Sequence, residues 1–109
     1  MLFRSGWAKT APLIGFVVAA KNFARNGSDN IHAGFDTGAA WMAVNLQAIK
    51  LGYYAHGMGG IDYEAVYPAF DIDPATHQVI CGFTLGKVDL TANEEITARK
   101  SLPEIWRQV

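Results

Sequence analysis

Apolar residues in this chain fall into blocks of different spacing, and the spacing predicts the elements. From Pro12 to Lys21 the run is nearly unbroken, with Leu13, Ile14, Phe16, Val17 and Val18 at its centre and a polar segment after it. A short β-branched and aromatic run of this kind predicts a strand buried on both faces. Asn22 to Asn30 then bring Asn, Arg, Gly, Ser and Asp, the chemistry of a surface connection. From Ile31 to Leu51 no proline or tight-turn signal intervenes. Ala33, Ala39, Ala40, Trp41, Met42, Ala43, Val44, Leu46, Ala48, Ile49 and Leu51 spread around the whole helical circumference, which predicts a helix buried on all sides. Asp29 or Asn30 can cap its start, and Lys50 followed by Gly52 marks its end.

Past Gly52 the pattern changes. Tyr53-Tyr54-Ala55-His56-Gly57-Met58-Gly59-Gly60 is first aromatic and strand-like, then a loop with three glycines in four residues. Asp62 can cap a short helix through Tyr63, Glu64, Ala65 and Val66, and Pro68 should distort or shorten it. Asp71-Ile72-Asp73-Pro74 predicts a turn, and Gln78 to Leu85 a second interior strand. From Asp89 the chain is polar until Ser101-Leu102-Pro103-Glu104-Ile105-Trp106, where a final short helix is expected to dock.

With 109 residues, half of them apolar, the chain is one domain with a large apolar fraction for its size. A domain of this length buries about two thirds of the surface its unfolded chain exposes. The surplus, and a helix apolar all round, predict a homodimer with that helix in the seam. Nine Lys and Arg against ten Asp and Glu give no positive field for a polyanion, so nucleic acid is excluded as a partner. A charged fraction of 17% argues against disorder. The longest apolar run, Ala11 to Ala20, is about half of a bilayer span, so no membrane partner is expected, and Met1 to Trp7 does not read as a signal peptide. The lone Cys81, within Val79-Ile80-Cys81-Gly82-Phe83, reads as a small buried thiol in a reducing compartment, the cytoplasm. The chain reaches its first strand with no earlier element to cover it, as though it began in the middle of a fold.

Most candidate chemistry fails. His32, His56 and His77 lie more than twenty residues apart with no cysteine pair nearby, so no metal site is expected. Ser5, Ser28 and Ser101 lack a nucleophile-elbow context, and Cys81 has no base within sequence reach. Asp36, Asp71 and Asp73 do not match a calcium loop. The glycine loop stands apart, because Gly57, Gly59 and Gly60 leave amide N–H groups open to a flat or anionic ligand, and Met58 offers a polarizable apolar contact. It matches neither the phosphate loop nor the dinucleotide fingerprint, and an ordinary tight turn remains the alternative.

Several stretches, in order, resemble the C-terminal half of the nitroreductase-like flavoproteins. They are Trp7-Ala8-Lys9-Thr10-Ala11-Pro12 before the first strand, Phe35-Asp36-Thr37-Gly38-Ala39-Ala40-Trp41-Met42 opening the long helix, and Leu51-Gly52 closing it. His56-Gly57-Met58-Gly59-Gly60-Ile61-Asp62, Leu85-Gly86 and Arg99-Lys100-Ser101-Leu102-Pro103-Glu104 complete the set. The resemblance implies an α+β fold, an α/β/α sandwich with a mostly antiparallel sheet and a long buried helix at a homodimer interface. It also implies FMN at the seam, taking hydride from NADH or NADPH and reducing a nitroaromatic, quinone, enal or similar small-molecule acceptor.

By the same resemblance, Met58, Gly59 and Gly60 lie against the isoalloxazine, with the amide of Gly59 or Gly60 reaching flavin N5, and Arg99 holds the FMN phosphate bidentately. No catalytic acid or base is implied in this segment. Thr97 stands where family members often carry a second basic residue, which points to weaker phosphate binding. The family's N-terminal half has no counterpart before Trp7, so a single partial domain over residues 1–109 is expected, binding FMN poorly alone. The alternatives are a non-catalytic dimerisation or flavin-sequestering module and, third, a small ligand-binding protein without flavin.

Overall fold

A computed structural model of the chain describes residue 2, residues 6–91 and residues 95–109. The sequence readings before Gly6 and across 92–94 lie, Leu2 apart, outside the described residues. A 3-10 turn (Gly6–Thr10) leads into strand β1 (Leu13–Ala20), helix α1 (Ala33–Lys50), strand β2 (Tyr54–Met58), helix α2 (Tyr63–Ala69), strand β3 (His77–Gly86) and a last turn of helix, α3 (Leu102–Ile105). The three strands form one antiparallel sheet in the order β1-β3-β2, so the last strand inserts between the first two.

Register assigns the two faces. Gly15, Phe83 and Gly57 are aligned across the three strands, and the adjacent row is Phe16, Gly82 and Met58; side chains of successive rows point to opposite faces. Trp41 of α1 stacks at a tilt on Phe83, centroids 5.3 Å apart, which places α1 over the first row. On the second face Phe16 and Val18 join Ile61, Val66, Val79, Tyr67 and Ile72 in the core under α2. The register slips by one residue between Val17, paired with Cys81, and Val18, paired with Val79, so Ile80 is a bulge. That extra residue turns Val79, which would otherwise face α1, onto the α2 side. Ile61 and Val66 are fully buried there, each contributing about 2 kcal/mol of apolar burial.

Local chemistry accounts for the helix ends. Asp62 accepts the Ala65 amide (3.2 Å) as the N-cap of α2, and Pro68 sits in the last turn, where its missing N–H removes little before the helix stops at Ala69. At α1 the N-cap is His32, without a side-chain cap. Asn30 acts two residues earlier, its side chain accepting the His32 amide (3.1 Å), while the Asp29 carboxylate is taken by Asn22. Gly52, at φ 78°, closes the helix in the left-handed region as its position predicts.

Three expectations of burial are corrected. Strand β1, expected to be buried on both faces, lies at an edge of the sheet and is half-buried along most of its length, with only Ala19 buried. Of the α1 residues only Ala48 is buried within the chain, while Phe35, Met42 and Leu46 are 80%, 58% and 62% exposed. Sequence shows only that a helix is apolar all round; here the sheet covers one side and no second layer among the described residues covers the other. Likewise α3 forms, closed by a Ser101–Glu104 capping box, but Leu102, Ile105 and Trp106 are exposed and it docks on none of the described residues. The radius of gyration of 16.6 Å exceeds the about 13 Å of a compact chain this long, in keeping with a projecting tail.

Candidate functional site

The glycine segment sits at the end of an edge strand. Gly57 and Met58 are the last two residues of β2, so the loop proper is Gly59-Gly60, shorter than the four-residue loop expected from composition. Pairing with Phe83 and Gly82 holds those two residues in the ladder. A Cβ on Gly57 would lie 3.3 Å from Cζ2 of Trp41, so the indole rests directly on the strand backbone. Met58 is 7% exposed and turned to the α2 side, where its thioether is spent on the chain's own interior.

Gly59 and Gly60, by contrast, are exposed. The Gly59 carbonyl accepts the Ile61 amide (2.9 Å), a tight turn, whereas the amides of Gly59 and Gly60 donate to no acceptor among the described residues. The nearest atom a Gly59 Cβ would meet is the Tyr63 hydroxyl, at 4.0 Å. The result is a short strip of bare backbone whose two donors are unengaged among the described residues, supported below by Met58 and Ile61. Such a strip suits a planar ligand with acceptor atoms along its edge.

Arg99 is not brought to this strip by any contact among the described residues. It lies in the irregular segment before α3, where its guanidinium donates to the carbonyls of Thr97 (2.9 Å) and Ala98 (3.5 Å). It has no carboxylate partner among the described residues, and its remaining N–H groups are free to take an anion.

Two cavities escaped the sequence reading. One, about 490 Å³, opens at the Tyr54 end of β2, lined by Trp7, Tyr54, His56, Thr84 and Lys87 among others, with the Trp7 and His56 rings edge to face at 5.1 Å. The other, about 310 Å³, lies between β1 and the first turns of α1, against Val17, Val18, Ala33 and Ala40. Both join residues far apart in sequence, and no local signal marks them. Among the described residues no group of three or more His, Cys, Asp or Glu is placed to hold a metal, and no helix is long and apolar enough to cross a membrane.

An antiparallel sheet between a long helix and a short one, with bare glycine backbone at its edge, defines a layered α+β sandwich. The chain belongs to the nitroreductase family, whose model matches residues 1–87. It is similar to the crystal structure of an oxidoreductase containing FMN, with 33% identity, TM-score 0.72, and 81% of this chain matched to 47% of that one. It is also similar to an enone reductase of gut-bacterial fatty acid biohydrogenation, with 28% identity, TM-score 0.58, and coverage of 66% and 33%. A third similar structure is a Bacillus subtilis nitroreductase, with 26% identity, TM-score 0.65, and coverage of 71% and 37%. The chain thus spans between a third and a half of these proteins' lengths. No curated protein matches it.

Proposed function

We propose that the chain serves an FMN-dependent oxidoreductase in which hydride passes from NAD(P)H by way of the flavin to a small-molecule acceptor, a nitroaromatic, quinone or related compound. The observation that carries this reading is the exposed Gly59-Gly60 backbone, with two amides that find no acceptor among the described residues, in a chain of the nitroreductase family. FMN, found in a similar oxidoreductase, is the planar group such a strip fits. Bound FMN supplies the two-electron hydride chemistry. This chain's part is to bind and orient, with the Gly59 or Gly60 amide donating to flavin N5 and the Arg99 guanidinium holding the phosphate. Met58 serves from beneath, as a buried support for the turn.

The working unit is a homodimer closed over α1. The chain exposes 8645 Å², whereas a compact monomer of 11.9 kDa exposes about 6,000 Å². The excess is larger than one partner's share of a standard interface, about 800 Å². The lone thiol of Cys81 accords with the cytoplasm.

Titration of the purified chain with FMN tests the reading. The expected result is quenched flavin fluorescence, shifts of the Gly59 and Gly60 amide resonances, anaerobic bleaching by NADPH, and a dimer in sedimentation. FMN that leaves both glycine amides unmoved refutes it. A second reading, a non-catalytic dimerisation or flavin-sequestering module, is favoured by the Arg99 guanidinium engaged with its own backbone. A stable dimer that binds no flavin, or binds it without bleaching, selects that module.

A further inference from the structure

Both ends of the glycine turn are tied to the same strand. At one end Met58 pairs with Gly82 of β3. At the other, Tyr63, the first residue of α2, donates its hydroxyl to the carbonyl of Ile80 (3.4 Å), two residues further back on β3. Ile80 is the bulge residue between the pairs Val17–Cys81 and Val18–Val79. A bulge leaves its extra residue outside the regular pairing, so its carbonyl is open to an outside donor. Between these two anchors run Gly59 and Gly60, then Ile61, buried in the core, and the cap Asp62, whose amide donates to the carbonyl of Leu2 (3.0 Å). The same hydroxyl is what a Gly59 side chain would meet first, at 4.0 Å. One phenol therefore joins buried Ile61 and the Asp62 amide in holding the far end of the turn, and backs its near end.

We propose that Tyr63 is a positioning residue, whose hydroxyl bond to the β3 bulge sets the direction in which the Gly59 and Gly60 amides point and hence how they meet the flavin. The flavin part of this statement rests on the FMN reading above; the part concerning the turn does not. A phenylalanine would fill the same space and lose only the bond. Two glycines in succession resist bending weakly, so the anchors on either side carry the definition of the turn.

The test compares Tyr63→Phe with Tyr53→Phe, the same chemical change at an exposed tyrosine beyond the other end of β2. In the FMN-free chain, Tyr63→Phe is expected to shift the Gly59, Gly60 and Ile61 amide resonances. Hydrogen exchange of the Ile61 amide, which is bonded to the Gly59 carbonyl, should rise about fivefold, the effect of one neutral hydrogen bond, with α1 unchanged. With FMN added, binding weakens about fivefold and the absorption bands of the bound flavin move; Tyr53→Phe changes neither. A uniform rise in exchange across the chain, or wild-type resonances at Gly59 and Gly60, overturns the proposal. FMN bound by Tyr63→Phe with wild-type affinity and spectrum overturns its flavin part. A turn loosened in the variant, with wild-type chain that ignores FMN, upholds the anchoring role and refutes the flavin reading instead.

Discussion

Gly15→Ala should destabilise the chain, although alanine is ordinarily the better residue in a strand. An ideal Cβ on Gly15 falls 2.5 Å from Cζ of Phe83, 2.7 Å from Cε1 and 3.3 Å from Cε2, so the phenyl ring lies across the bare backbone. The ring is hemmed in on its other side by Trp41, which in turn rests on Gly57. The row reads glycine, phenyl, indole, glycine, each ring seated where a side chain is missing. Overpacking of this kind costs about 1–3 kcal/mol, against the roughly 0.5–1 kcal/mol that alanine gains over glycine in backbone entropy. The net expectation is a loss of about 1–2 kcal/mol, or a fall of roughly 5–12 °C in Tm. Urea denaturation followed by circular dichroism measures it. Phe83→Leu provides the partner for a double-mutant cycle, because removing the ring should relieve most of the penalty, with a coupling of about 1 kcal/mol. Gly34→Ala, where nothing lies within 4 Å, should instead be neutral or stabilising by up to about 1 kcal/mol. A Gly15→Ala chain as stable as the wild type, or a penalty that persists undiminished in the Phe83→Leu background, refutes the argument.

Asp62→Ala removes the acceptor of the Ala65 amide and should cost about 1 kcal/mol, with Asp62→Asn close to neutral; unequal losses of the opposite order would contradict the capping role. The Glu104 carboxylate accepts from the Ser101 hydroxyl (2.6 Å) and amide (2.8 Å), which hold its pKa below the ordinary value. Because the folded pKa is the depressed one, the α3 capping box is intact above the ordinary Glu range and lost as pH falls through the folded value. A Glu104 carboxyl that titrates at or above the ordinary range, followed by NMR, would sink this. The Cys81 thiol is pushed up by burial, so it should react with a disulfide reagent at pH 8 more slowly than a free cysteine, and faster only once the chain is unfolded in urea.

Much of the local structure could be read from sequence because its causes are local. The β-branched run of β1, the Lys50–Gly52 end of α1, the Asp62 cap and the short helix after Ser101 each have causes within a few residues, and each stands where its chemistry requires. The resemblance to the nitroreductase family rested on such stretches in order, and the family match covers most of them. It also singled out the bare glycines that the structure leaves exposed. What sequence could not supply depends on which residues meet across long separations. Met58 looked like a surface for a ligand and is buried, because register sends its row to the α2 face. Gly57 looked like loop and is strand, because β3 inserts beside it and Trp41 closes on it. The apolar circumference of α1 was legible, but its partner was not, since hydrophobicity states that a face must be covered and never by what. Tyr63 is mute in sequence for the same reason: its role depends on one extra residue in β3, and only tertiary pairing reveals a bulge.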